Sequence, residues 1–61
     1  MVCRLAEVRK EKGLTQVQLS ELSRVNRVSI AKYETGKALP SLETAGRLAD
    51  ALKVNISDIV R

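Results

Sequence analysis

Between positions 27 and 32 the chain places Arg27, Val28, Ser29 and Lys32 around an apolar Ile30. That set suits the edge of a nucleobase better than it suits a reaction. A guanidinium can grip guanine O6 and N7 with two parallel bonds, and a valine methyl can touch the thymine methyl group. Ser29 adds an adaptable hydrogen bond. Lys32, about one helical turn beyond Val28, can reach a base or a phosphate. The plain alternative for Arg27 and Lys32 is solubility. Val28 resists that reading, because a β-branched apolar residue at an exposed helix start calls for a partner. Other chemistries are poorly supplied. There is one cysteine, Cys3, and no histidine to activate it as a nucleophile. The same count rules out an internal disulfide and a histidine–cysteine metal cluster. No paired-carboxylate signature or glycine-rich phosphate loop is present. The expectation is a protein that is not an enzyme and holds no cofactor or metal.

The element that must present these residues is the stretch from about 15 to 36, TQVQLSELSRVNRVSIAKYETG. Thr15 can N-cap a helix over Gln16–Ser23, with Gln18 completing a capping box. Leu19 and Leu22 give that helix an apolar stripe. The pattern breaks at Ser23-Arg24-Val25. Asn26 can then cap a second helix, Arg27–Thr35, whose inward residues are Ile30 and Tyr33. Gly36 follows at the position where a left-handed backbone suits glycine. Two short helices joined by a three- or four-residue turn make a helix-turn-helix, whose second helix can enter a DNA major groove.

The flanks supply three further helices. Met1–Lys12 reads as the first, with Leu5 and Val8 inward, Val2 beside them, and Gly13 as its stop. Glu7 and Glu11 form a slightly unfavourable like-charge pair. Cys3 reads as a small, partly buried residue. Val17 reads as exposed, with no packing reason for it. Pro40 disfavours helix before it. Ser41 can cap Leu42–Leu52, with a stripe of Leu42, Ala45, Leu48, Ala49 and Leu52. Gly46 inside that helix costs roughly 1 kcal/mol against alanine, which close helix approach would explain. Val54 closes the core, and Asn55 caps a last helix, Ile56–Val60. Ile56, Ile59 and Val60 exceed what one terminal turn needs to bury. They either seal the monomer or form a dimer contact, and the dimer contact is the expectation.

Sixty-one residues allow one domain, here 1–61. A chain this short buries only ~60% of its unfolded surface. Without disulfide or metal, it must rely on helix packing and self-association. The 44% apolar content is too high for a disordered tail. The net charge is +4 and unevenly spread. Arg4, Arg9, Lys10 and Lys12 face only Glu7 and Glu11 in the first twelve residues. Arg24, Arg27, Lys32 and Lys37 face only Glu34 around the second helix of the pair. Such clustering fits a polyanion partner, although charge alone equally fits a solvated basic face. No apolar run is long enough for a membrane span, and no signal-peptide core begins the chain, so a cytoplasmic, nucleoid-associated protein is expected.

From Arg4 to Val60 the chain resembles the phage repressor/Cro-type (XRE-like) helix-turn-helix regulators of bacteria, archaea and phages. The resemblance rests on an ordered set: LTQ, small Ser20, Val25 in the turn, capping Asn26, Ile30, the YETGK of Tyr33–Lys37, PSLET and LADAL. It implies an all-α, lambda-repressor-like domain of five short helices around the central helix-turn-helix. It implies an Arg9–Glu34 bridge between the first and third helices. It implies phosphate contacts from Gln16 at a positive helix end and from Thr35 and Lys37 in the loop after the third helix. Many members carry glycine at the positions of Arg24 and Lys53, where φ is positive. The basic replacements cost of the order of 1 kcal/mol each, in exchange for phosphate attraction.

Together these lead to a sequence-specific double-stranded DNA-binding regulator. It is expected to be a repressor that binds an inverted repeat as a homodimer, with no effector site. The base contacts fall to Arg27, Val28, Ser29 and Lys32, and the phosphate contacts to Gln16, Arg24, Thr35 and Lys37. The alternative is a protein-interaction module, such as an antitoxin or adaptor, on the same fold. A membrane-surface role is weaker, because the apolar faces of the basic helices are needed for the core.

Overall fold

A computed structural model describes residues 3–60. Five helices follow one another: α1 (Leu5–Glu11), α2 (Gln16–Ser23), α3 (Arg27–Glu34), α4 (Leu42–Leu52) and α5 (Ile56–Ile59). Among the described residues there are no strands, only one isolated antiparallel bridge between Cys3 and Val60. That bridge delays α1. The Arg4 N–H donates to the Ile59 carbonyl at 2.6 Å, so Cys3 and Arg4 stand outside the helix that the sequence suggested. α1 starts at Leu5, four residues later than expected from Met1; the expected roles of Met1 and Val2 lie outside the described residues.

The helix starts are set locally. Thr15 Oγ1 accepts from the Gln18 N–H at 3.1 Å, and Gln18 Oε1 accepts from the Thr15 N–H at 2.9 Å. Asn26 Oδ1 accepts from the Val28 N–H at 2.7 Å, and Ser41 Oγ from the Thr44 N–H at 3.2 Å. At α5 the Asp58 carboxylate accepts from the Asn55 N–H at 3.0 Å. Each satisfies a helix-end donor that has no partner inside the helix. The left-handed stops also form, with φ of 60° at Arg24 and 58° at Lys53, both strained without glycine.

Leu5, Leu19, Ile30, Leu48, Leu52 and Ile59 are fully buried and come from all five helices. α2 packs on α3 and α4, and α5 closes the other side of α4. Three expectations fail at this level. Leu22 is 60% exposed; the inward face of α2 is Leu19 and Ser23, four apart. Ser23 tolerates burial because its hydroxyl donates to the Leu19 carbonyl at 2.7 Å and accepts from the Val25 N–H at 3.3 Å. Leu42 is 78% exposed, since a side chain in the first turn tilts off the helix end. Gly46 faces no close backbone: an added Cβ would meet only Ile56 Cδ1, at 3.8 Å. Tyr33, expected inward, is half-buried and packs against the core.

One ion pair ties the bundle across its ends. Arg9 Nε donates to Glu34 Oε2 at 2.6 Å and Arg9 Nη2 to Glu34 Oε1 at 3.2 Å. The third arm, Nη1, donates to the Leu14 carbonyl at 2.6 Å. Burial pushes the Glu34 carboxyl upward. The hydrogen bonds from Arg9 and Gln16 and the charges of Arg9 and Lys10 outweigh it, so Glu34 titrates below its ordinary value. The other two ion pairs among the described residues, Arg4–Glu7 and Arg47–Glu43, are exposed and contribute little.

Two stability predictions follow from these contacts. Gly46→Ala and Lys53→Gly should each raise the urea unfolding free energy by about 1 kcal/mol, one through helix propensity and one through relief of left-handed strain. An unchanged midpoint for both would contradict the geometry. Glu34→Gln should cost about 1.5–3 kcal/mol at pH 7, the range for hydrogen bonds to a charged group. A carboxyl whose folded value lies below 4.5 stabilises fully above that pH and loses its contribution as pH falls through the folded value. The gap between wild type and Glu34→Gln should therefore close on acidification below 4.5. A gap independent of pH would contradict the ion pair.

Candidate nucleic-acid interface

α3 is short, and one fully buried side chain, Ile30, faces its neighbours. Its start is fixed by buried Val25 in the turn and by the Asn26 cap. Ser20 adds a tie from α2: its hydroxyl donates to the Val25 carbonyl at 2.6 Å. A small side chain is what lets a hydroxyl reach the turn there. The far end of α3 is held by Glu34 on Arg9.

Anchoring at both ends settles which side of α3 stays bare. At about 100° per residue, Arg27, Ala31, Val28 and Lys32 occupy an arc of roughly 140° opposite Ile30 and Tyr33. Arg27 and Lys32 are exposed, Val28 is 57% exposed, and Ala31 and Ser29 are half-buried. Ser29 thus sits on the boundary of the arc. The sequence-derived base-contact residues are brought onto this side. Among the described residues no carboxylate lies within ion-pair distance of Arg24, Arg27, Lys32 or Lys37.

The expected phosphate contacts are more dispersed. Gln16 is half-buried, and its Nε2 donates to Glu34 Oε1 at 2.9 Å. This bond was not legible in the sequence, because Glu34 lies eighteen positions away on another helix. The Thr35 hydroxyl donates back to the Ala31 carbonyl at 2.9 Å, leaving its oxygen outward at the end of α3. Lys37 is exposed after Gly36, whose φ is +78°, and its N–H donates to the Lys32 carbonyl at 2.9 Å. Arg24 borders an open groove of about 460 Å³ with Leu22, Arg47 and Asp50, facing α4.

The apolar residues expected at a dimer contact divide. Ile59 is fully buried and Val60 is half-buried on its bridge to Cys3, so both seal the monomer. Ile56 remains 36% exposed. It lies against Gly46, one turn of α4 from Leu42, and Leu39 is exposed just before α4. Leu39 and Leu42 were missed as surface residues: Leu42 falls in phase with a core stripe, and Leu39 belongs to no periodic segment. Among the described residues no His, Cys, Asp or Glu cluster is placed to hold a metal ion. No described helix is long and apolar enough to cross a membrane.

Comparison with known proteins agrees with this geometry. A helix-turn-helix family model matches residues 5–59. The chain is 38% identical over 56 residues to the cryptic phage CTXphi transcriptional repressor RstR of Vibrio cholerae, covering 92% of this chain and 50% of that protein. It is 42% identical over 57 residues to the immunity repressor protein of Bacillus phage phi105, covering 93% of this chain and 40% of that one. The chain thus spans half or less of the length of these relatives. Among solved structures, the restriction-modification controller protein C.AhdI from Aeromonas hydrophila superposes with a TM-score of 0.85 at 36% identity, covering 90% of this chain and 83% of that one. The chain belongs to the helix-turn-helix family of phage repressor (Cro/C1-type) regulators.

Proposed function

We propose that this domain is a sequence-specific double-stranded DNA-binding module of a transcriptional repressor, acting as a homodimer on an inverted repeat. The observation that carries the reading is the bare arc of α3, cationic at Arg27 and Lys32 and apolar at Val28. A helix presented this way lies in a major groove with its first residues on base edges. Arg27, Val28, Ser29 and Lys32 then read sequence. Gln16, Arg24, Thr35 and Lys37 bind the flanking phosphates, which position the domain without reading bases. Two relatives are named as repressors, which supports repression by occupancy of an operator.

The dimer reading draws on the exposed apolar side chains Leu42 and Ile56. A two-fold axis there would make the contact self-complementary, and an inverted repeat requires the two copies of α3 to stand about 34 Å apart, one helical turn of DNA.

Selection of binding sites from random duplex DNA tests the reading directly. An inverted repeat with half-sites one turn apart should emerge. Arg27→Ala should cost about 1–3 kcal/mol at the selected site and relax preference at one base position. Lys37→Ala should weaken all sequences alike and lower the salt slope by about 1. Ile56→Glu should leave the monomer folded, abolish dimers in sedimentation, and reduce binding to full sites more than to half-sites. Uniform weakening by Arg27→Ala would reassign that residue to the backbone.

A further inference from the structure

We propose that Glu34 is a positioning residue for phosphate recognition: its carboxylate sets the Gln16 amide in one orientation before DNA arrives. This rests on the reading of Gln16 as a phosphate contact. Gln16 is the first residue of α2, and its Nε2 donates to Glu34 Oε1 at 2.9 Å. A carboxylate only accepts hydrogen bonds. The Gln16 amide must therefore turn its NH₂ group, and not its oxygen, toward Glu34. One N–H is used, the amide plane is set, and the second N–H is left for a phosphate oxygen.

Glu34 is itself fixed. Arg9 grips both of its oxygens, at 2.6 and 3.2 Å, and the Glu34 side chain is only 7% exposed. The remaining arm of Arg9 holds the Leu14 carbonyl at 2.6 Å, two residues before Gln16. One arginine thus fixes the main chain entering α2 and, through Glu34, the side chain that opens it. The guanidinium also offsets the charge that a carboxylate at the end of α3 would turn against a polyanion. Glu34 accordingly acts through Gln16 and does not touch DNA. The gain is preorganisation: a glutamine free in solution must be immobilised on binding, and one already held loses less freedom.

The test is a double-mutant cycle on affinity for a duplex that the wild-type chain selects from a random pool. Glu34→Asp keeps the charge opposite Arg9 and draws the carboxylate back by one methylene; Gln16→Met removes the amide and keeps its length. Glu34→Asp is expected to weaken binding roughly 3- to 10-fold in the wild-type background, the range for one immobilised side chain. It is expected to have no effect in the Gln16→Met background. An equal loss in both backgrounds, or none in either, overturns the proposal. If Gln16→Met binds as tightly as wild type, the phosphate-contact reading of Gln16 fails and the proposal falls with it. A second measurement needs no variant to fold: side-chain NMR relaxation of the Gln16 amide in the DNA-free wild-type chain. A rigid amide is expected, and one that averages freely over rotamers overturns the proposal.

Discussion

The placement of α3 depends on the Arg9–Glu34 ion pair more than on apolar packing. An eight-residue helix with one fully buried side chain, Ile30, gains only about 1.5–3 kcal/mol from that burial. That is too little to fix its tilt as well as its depth. The N-terminal end is held through Val25, Asn26 and Ser20, all within the helix-turn-helix itself. The C-terminal end is held by a residue from α1, at 2.6 Å through Arg9 Nε. A buried arginine–carboxylate pair is a weak source of net stability, because desolvation offsets most of the attraction. Its two parallel bonds nevertheless fix direction, which apolar contact cannot do. The exposed face of α3 is thus defined by a polar constraint set outside it.

Local chemistry marked most of this fold in the sequence. Thr15 with Gln18, Asn26 and Ser41 name three helix starts through side-chain oxygens, and the structure forms each bond. Arg24, Lys53, Gly13 and Gly36 adopt the left-handed backbone. What stayed hidden were tertiary choices. Periodicity in an eight-residue helix does not decide between Leu19–Leu22 and Leu19–Ser23 as the inward pair, because both spacings fit one face. The second holds because Ser23 can satisfy the turn. Leu42 matched the stripe of α4 in phase but falls at the end where a side chain points past its neighbours. The late start of α1 came from pairing with Val60, a contact across almost the whole chain that no local signal carries.

The candidate interface was legible for a related reason. Arg27, Val28 and Lys32 follow from the phase of one buried residue, Ile30, in a helix too short to drift. The phosphate set was less legible. Gln16 is bound to Glu34 eighteen positions away, and Arg24 turns toward a groove with α4. Side chains that serve both the fold and a ligand look like surface residues in a sequence, since their partners come from other helices. Ile59 misled in the opposite sense: it looked surplus because it joins a core with Leu5 and accepts from the Arg4 N–H, both at the other terminus.

On the proposed reading, the bare side of α3 meets DNA. Titrating the isotope-labelled chain with a selected duplex and following backbone and side-chain NMR shifts tests it most directly. The largest changes are expected at Arg27, Val28 and Lys32, with Ile30 and the buried leucines of α4 unmoved. Changes concentrated on α4 and α5, with the outer face of α3 silent, would contradict it.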